Sequence, residues 1–383
     1  MGLLGLSLLS FFVVVGAVSL FYARHDPLAF VEIAHGYSIV VALWLLITQH
    51  YMCKMSILHD MFKVIDADVF QYSTVSGIDE DDKARQSVKT LFEDVFQRGF
   101  QYIISIGTVL LCVAPVIIRM YASEDRKKIK QLNYDLPVPF WIPFNTDTKH
   151  GFLIAYILVC TLILQVAVYL LAAIPFLVYN VLALRLQYDI LQNSIINVES
   201  RAFERYGLVR GLNGNLKPEM IHGDFLYERC VRECLKENIL HHITIVRYFN
   251  LYKSFTSSIY GVLIGLSLII LASLSVVLIK TKLFSFETVK FAFFFIVELV
   301  IVFGYCFLGS YITEASDKIP NAIYNTSWIN LPTSQRKTLL IFQNRVKRSE
   351  KLKGSGLFEI NLKLFVQIVR TTYSIFNIFS SMH

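Results

Sequence analysis

Lys363 and Arg370 stand inside the last long apolar stretch of this chain, Ile360 to Ser381, in company with Gln367, Thr371, Thr372, Ser374, Asn377, Ser380 and Ser381. An ionisable side chain at the centre of a membrane span costs roughly 2.5–3.5 kcal/mol on insertion scales, so such a helix is tolerated where it faces protein or water. At about 100° per residue, Lys363, Gln367, Arg370, Ser374, Asn377 and Ser381 fall within about 40° of one line. That stripe suits the wall of a water-filled ion pathway. It equally suits a helix packed against polar neighbours in a bundle. Glu298, in the sixth apolar stretch, is a second mid-span charge. It reads either as a functional carboxylate or as a structural partner for Arg370 or Lys363.

Other patterns with chemical meaning are missing from the sequence. It carries no HExxH, GxSxG, phosphate-binding loop or GxGxxG, and His241-His242 has no partners at ligand spacing. The 6 cysteines are Cys53, Cys112, Cys160, Cys230, Cys234 and Cys306. The Cys230/Cys234 pair lacks the further Cys or His of a zinc site, and no disulfide framework is implied. Neither an enzyme nor a metal or cofactor protein is expected.

The elements that must position the polar stripe are membrane spans. Of 383 residues, 55% are hydrophobic and only 17% charged, against roughly 25% charge in soluble domains. About 20 apolar residues cross the hydrocarbon core. Seven segments qualify: Leu3–Tyr22, Ile33–Met52, Tyr102–Met120, Phe152–Leu184, Ser258–Ile279, Val289–Tyr311 and Ile360–Ser381. The fold class is an all-α polytopic membrane protein, with residues 1–383 forming a single seven-helix unit. The long connections fall on one side of the membrane and are expected to form a helical layer there. The fourth segment is long enough to run past the bilayer, and Pro115 and Pro175 are candidate kinks in the third and fourth. Gly211, Gly214 and Lys217-Pro218 mark a break in the longest connection, and Gly354-Ser355-Gly356 a hinge before the last span. Gly261-x-x-x-Gly265 permits close helix approach.

The net charge of +7 is spread over loops, without the basic stripe and interleaved aromatics of a nucleic-acid binder, and reads as contact with membrane lipid. Charge leaves the orientation open, because the cluster Arg126, Lys127, Lys128 and Lys130 opposes the weight of the long connections. The start of the chain has neither a basic n-region nor a myristoylation pattern, so the first segment reads as a true span. The aromatics Phe291, Phe293, Phe294 and Phe295 of segment six, Tyr37 and Trp44 of segment two, and Phe152 and Tyr156 of segment four suit either a small apolar cavity or a lipid-facing surface.

In the C-terminal third, Tyr324-Asn325-Thr326-Ser327-Trp328 is followed by Leu331-Pro332 and the basic helix Gln335-Arg336-Lys337-Thr338-Leu339-Leu340. Gly356-x-Phe358 and the terminal Thr372-Tyr373-x5-Phe379 come next. Together these resemble the signature of the insect odorant receptor family. Cys234 to Phe255, with His241 and Tyr252, and the order of spans and loops are similar to it as well. The resemblance implies a multi-pass plasma-membrane protein of olfactory sensory neurons with a cytoplasmic N-terminus. It implies that 185–257 and 312–359 are cytoplasmic anchor loops forming an intracellular helical layer, where subunits meet through Tyr324, Trp328, Arg336 and Lys337. Four subunits, tuning receptors together with a common co-receptor, would surround a non-selective cation pore lined by 360–383. The chain lacks the co-receptor's extended second cytoplasmic loop and so looks like a tuning subunit.

Carried over from the Thr-Tyr anchor, the pore positions are Thr372, Tyr373, Phe376, Phe379 and Ser380, on roughly the opposite face from the polar stripe. Phe376 then lies at the gate, where a hydrophobic ring closes a pore by dewetting. A small volatile organic ligand is implied in the outer half of the bundle, among helices within 33–185 and 258–311. Its expected contacts are His35, Tyr37, Ser38 and Val41 on the second helix and Leu110, Val113, Ala114 and Ile117 on the third. Phe152 and Tyr156 on the fourth helix and Phe291, Phe294 and Phe295 on the sixth complete the set.

Three other classes were weighed against this. A gustatory-type receptor channel would show a different last-helix signature. A G-protein-coupled receptor would carry Asp-Arg-Tyr after segment three and Asn-Pro-x-x-Tyr in segment seven, and neither is present. A transporter would often show internal repeats and matching broken helices; the sequence shows neither.

Overall fold

Backbone N–H and C=O groups in hydrocarbon must be satisfied by other backbone groups, which leaves helices and closed β-barrels, and unbroken apolar runs of about 20 residues select helices. The computed structural model describes residues 2–49, 54–66, 69–74, 97–121, 132–211, 224–280 and 286–381, with isolated positions between 83 and 92. The side chains of 114–121 and 379 fall outside that description, as do Cys53, the basic cluster Arg126, Lys127, Lys128 and Lys130, and the Gly214 and Lys217-Pro218 break.

The described helices are α1 (Gly2–Ala23), α2 (Pro27–Gln49), α3 (Met55–Asp66), α4 (Arg98–Tyr121), α5 (Lys149–Ile196), α6 (Val198–Arg210), α7 (Phe225–Lys280), α8 (Phe286–Tyr324), α9 (Thr333–Val346) and α10 (Leu362–Ser381). Helices α1, α2, α4, α5, α7, α8 and α10 contain the seven expected spans. Gly5–Ala23, Ala29–Gln49 and stretches within α5, α7 and α8 are long and apolar enough to cross a membrane. In α4 the apolar run among the described residues is shorter, Arg98–Val113. Helix α10 has the length, 20 residues, but is more polar than the others.

The long connections are largely continuations of the spans. Helix α7 has 56 residues, roughly 80 Å at 1.5 Å per residue, against a hydrocarbon core of about 30 Å. Helix α5 (48 residues) runs through Pro175 without interruption, and α8 has 39 residues. Outside the spans the apolar residues of α7 recur at helical spacing. Tyr227, Cys230, Val231, Cys234 and Leu235 are buried, and so are Ile245, Tyr248, Phe249 and Tyr252. They pack with α5, α6, α8 and α9 into one large core. A second core joins α1, α2, the segment 132–142 and the first half of α5.

Polar ties reinforce the layer outside the spans. Arg201 on α6 is buried and pairs with Glu237 of α7 at 2.6 Å, while its guanidinium lies 4.3 Å over the Tyr72 ring. Tyr72 is hydrogen-bonded to His241 Nδ1 at 2.7 Å, and His241 Nε2 meets Gln187 Oε1 at 2.9 Å. His241 is therefore a satisfied core histidine. Cys230 and Cys234 are buried thiols pushed up by burial, Cys234 to about 11, which keeps the weakly nucleophilic protonated form.

Where α7 enters its apolar stretch, several elements dock on a single stretch of its backbone. Lys54 Nζ donates to Ser254 O (2.8 Å), Phe255 O (2.7 Å) and Ser258 Oγ (2.8 Å). Tyr252 OH meets Tyr260 OH at 2.9 Å. Ser355 N donates to Ser257 O at 2.7 Å. Ser355 stands at the tip of a small hairpin of β1 (Lys353–Gly354) and β2 (Phe358–Glu359). The Gly354-Ser355-Gly356 stretch is thus a turn pinned to α7, with Ser355 and Gly356 at positive φ, and not the expected hinge. Gly261 faces that same serine, since a Cβ there would overlap Ser355, while Gly265 faces open space. The GxxxG spacing serves a hairpin on one side only and pairs no helices.

His242 tests the burial of this layer. It packs edge-on against Phe342 of α9, with centroids 5.4 Å apart. Burial, with Arg345 adding to it, lowers the imidazole to about 4. The folded pKa is depressed below the roughly 6.5 of a free histidine, so the stability present above that value is lost as pH falls from about 6.5 to about 4. The melting temperature of the purified protein should drop across that window more for the native chain than for His242→Phe. Parallel curves would contradict the burial.

Candidate ligand cavity and pore helix

A cavity of about 270 Å³ opens between α1, α2 and α7, bounded by Leu20, by α2 from Phe30 to Val41, and by Leu266, Ile269, Ile270 and Ser273. That volume sits at the small end of ligand pockets. Four of the ligand contacts that the resemblance implied, His35, Tyr37, Ser38 and Val41, line it together. Local packing sets their positions. Gly16 of α1 leaves room for the Tyr37 ring, which a Cβ there would overlap. On the far side of α2, Gly36 lies against Val138 of the outer segment. Both serine hydroxyls of the cavity serve their own helices: Ser38 Oγ donates to His35 O (2.7 Å) and Ser273 Oγ to Ile269 O (2.8 Å).

Behind the cavity the expected aromatic wall is present but packed. Phe294 of α8 stacks on His35, with centroids 4.7 Å apart and planes 11° off parallel. Phe291 is buried with Val31, Leu274 and Val277, and Phe294 and Phe295 pack against that cluster. The rest of the expected set is elsewhere. Phe152 and Tyr156 pair with each other at 5.8 Å and belong to the core around α1 and the outer segment, with the Tyr156 hydroxyl donating to Cys112 O. Leu110 and Val113 do not enter the cavity; they are 61% and 44% exposed on the outer face of α4. The Ala114 and Ile117 side chains lie outside the described residues. The cavity was instead completed by Leu20 and by α7, which the sequence reading did not select. Apolar residues on an apolar span carry no local signal of facing a void.

Helix α10 begins at Asn361, whose side chain accepts from Leu364 N at 2.9 Å. The preceding Ile360 sits against Gly309 of α8, where a Cβ would overlap its carbonyl. From there α10 touches the chain along one stripe. Ile368 and Thr372 are buried, and Leu364, Phe365 and Ile375 half-buried. Phe365 meets Phe303 of α8 edge-on at 5.4 Å. Thr372 therefore packs against its own bundle, with its hydroxyl tied to Ile368 O at 3.0 Å. Tyr373, Phe376 and Ser380 are exposed, and so is the polar stripe of Lys363, Gln367, Arg370, Ser374, Asn377 and Ser381. At about 100° per residue the two exposed sets centre roughly 110° apart, not opposite each other; the opposite position is shared with the docking stripe. Glu298 does not pair with Lys363 or Arg370. It is buried and hydrogen-bonded with Ser267 of α7, because the charges of α10 point away from α8.

At the other end, α9 buries Gln335, Leu339, Phe342 and Val346, with Gln335 Nε2 donating to Glu228 O at 3.2 Å. Its outer face carries Arg336, Lys337, Leu340 and Ile341, which with Tyr324 and Trp328 form an exposed apolar and basic surface. Among the described residues no group of three or more His, Cys, Asp or Glu could hold a metal ion.

A sequence model of the 7tm odorant receptor family matches residues 34–373. Odorant receptor 33c of Drosophila melanogaster is 29% identical over 147 residues, which is 37% of this chain and 38% of that protein. Odorant receptor 46a, isoform A, from the same organism is 26% identical over 147 residues, 38% of this chain and 39% of that one. The matched stretches thus span well under half the length of these relatives. The fold is shared with the insect olfactory receptor OR5 from Machilis hrabei, solved in complex with eugenol, at a TM-score of 0.75 and 14% identity over 99% of this chain and 88% of that one.

The His35–Phe294 stack should be measurable by itself. A double-mutant cycle of His35→Ala and Phe294→Ala, read as unfolding free energy, should return a coupling of about 0.5–1.5 kcal/mol. Additive effects would mean the rings merely adjoin.

Proposed function

The chain belongs to the seven-transmembrane odorant receptor family, and from that premise we propose that it is a tuning subunit of a ligand-gated, non-selective cation channel. Four such subunits, this chain together with an odorant co-receptor, surround a pore lined by α10. A small volatile organic molecule bound beside α2 opens it. The N-terminus lies in the cytoplasm of an olfactory sensory neuron, and the layer of α6, α9 and the ends of α5, α7 and α8 is the intracellular anchor.

One observation carries this reading. A helix with two cations and a row of amides and hydroxyls is held by a single stripe, which leaves both its polar face and its Tyr373–Phe376 face outward. In a lone subunit those faces meet lipid at high cost. Around a shared axis one meets water and the other a neighbour. Phe376, on the less polar of the two, suits a hydrophobic gate. Tyr324, Trp328, Arg336 and Lys337 supply the kind of aromatic and basic surface that subunit contacts favour.

Ligand energetics fit a weakly biased gate. Burying about 200 Å² of apolar surface gains about 5 kcal/mol, near 0.2 mM before other terms. Driving a gate from 1:99 to 99:1 needs about 5.5 kcal/mol of preference between states. One ligand of this size does not supply that through burial, so the closed state is only slightly favoured or several subunits contribute.

Current recording from cells expressing the chain with and without a co-receptor, across an odorant panel, tests the reading. Ligand-evoked cation currents are expected only with the co-receptor. Val41→Trp, which fills the cavity, should abolish them at normal surface expression, and Phe376→Ala should raise the resting current. Responses without conductance would point to a G-protein-coupled receptor instead. The exposed sequon at Asn325 reports orientation, since it stays bare in the cytoplasm and would be glycosylated outside.

A further inference from the structure

The cavity has a mouth, and the depth of that mouth says what can enter. Ile269 borders it and is 65% exposed. The apolar part of α7 ends at Ile279, so Ile269 lies roughly 15 Å along the helix from that end, near the middle of a hydrocarbon core of about 30 Å. An opening at that depth meets acyl chains. The other exposed side chain on the rim is Phe30, near the start of α2. The opposite face of α1 and α2 is covered. There Trp141 N donates to Ser19 Oγ at 2.8 Å, Phe140 packs on Phe12 at 5.7 Å, and Val138 lies against Gly36. The α1–α2 pair is therefore sealed by the outer segment on one side and open to lipid on the other.

The lining narrows the chemistry of the occupant. Among the described residues it contains no Lys, Arg, Asp or Glu. The hydroxyls of Ser38 and Ser273 are already donated to backbone carbonyls of their own helices. Stacking on Phe294 covers the face of the His35 ring and leaves its nitrogens in the ring plane, so His35 is a second polar group in the lining beside Tyr37. The Tyr37 hydroxyl is a donor suited to a guest. A carboxylate entering this cavity would lose its hydration with no cation to meet it, and a polyol would leave several donors unmatched. An ester, ketone or ether loses little.

Resting on the assignment of this cavity as the ligand site, we propose that it loads sideways from the bilayer, past Ile269, and selects an uncharged, largely apolar molecule carrying a hydrogen-bond acceptor. The membrane then acts as the reservoir, and the concentration that matters is the one dissolved in lipid.

The receptor assembled with its co-receptor in lipid nanodiscs can be photolabelled with octyl acetate bearing a diazirine in its alkyl chain, and the adducts located by peptide mass spectrometry. Adducts are expected on α2 and α7 between His35 and Val41 and between Leu266 and Ser273. Unlabelled octyl acetate should compete with them and octanoate should not. Ile269→Trp, an indole set over the mouth, should cut cavity labelling at least fivefold, and the milder Ile269→Phe should lie between. Ile103→Trp, at an equally exposed position on α4, should leave labelling unchanged. Ile269 makes few internal contacts, so these variants are expected to assemble, and thermal melts in the same nanodiscs verify it. Cavity labelling that Ile269→Trp leaves intact would overturn sideways loading while the cavity stays the ligand site. Competition by octanoate would overturn the ligand class. Labelling confined to residues outside the cavity would remove the site itself and the loading route with it.

Discussion

Helix α10 is attached to the rest of the chain through Leu364, Phe365, Ile368, Thr372 and Ile375, and its other described side chains are exposed. Among the exposed residues are Lys363 and Arg370. Arg370, near the middle of the helix, would cost roughly 2.5–3.5 kcal/mol at the centre of a bilayer, a large share of the 5–15 kcal/mol by which domains are typically stable, while Lys363 at the helix start can reach the interface. The single chain must therefore hold its last helix with a charged and polar face turned outward. This requirement organises the rest. The hairpin of β1 and β2 fixes where α10 starts, Gly309 lets Ile360 approach α8 closely, and the outward face of α9 adds a second surface that is unpartnered within the chain.

The candidate cavity and the last helix are joined by continuous rods and not by loops. Helix α7 borders the cavity at Leu266 to Ser273, continues through the Lys54 and Ser355 contacts, and ends deep in the helical layer. Helix α8 carries Phe294 against His35 at one end of its span and Phe303 against Phe365 of α10 further along. Between those two contacts Glu298 is tied to Ser267, so α7 and α8 share a buried polar link inside the apolar region. A ligand that moves Phe294 by displacing His35 pushes on the element that seats α10. A packed interior transmits such a displacement because it has few voids to absorb it.

Much of this was legible in the chain. Hydropathy located the seven helices, five of which are long and apolar enough over their described residues to cross a membrane, and the terminal polar stripe marked α10 as unlike the rest before any fold was known. The four α2 residues of the cavity were read from the resemblance and came together. The sequence did not reveal which faces of the other helices look inward. Leu110 and Val113 are as apolar as Leu266 and Ile270, and only packing separates a lipid-facing residue from a cavity wall. Thr372 is hard to place for a related reason, since a threonine that returns its hydroxyl to Ile368 O is as content in a packed interface as in water. The Gly354-Ser355-Gly356 stretch reads as a hinge because glycine is permissive. Its docking on Ser257 O depends on a contact nearly a hundred residues away in sequence.

The most direct measurement is the water accessibility of α10 in the assembled channel. Single cysteines placed at Tyr373, Phe376, Arg370, Ser374 and Asn377, and at Leu364 and Ile368 on the docking stripe, can be challenged with a charged methanethiosulfonate while current is recorded, native thiol reactivity being subtracted. At least one outward face should react and alter the current, faster with ligand present, while the docking stripe stays protected. Protection at every outward position, with and without ligand, would mean that α10 is bathed by acyl chains and lines no pore.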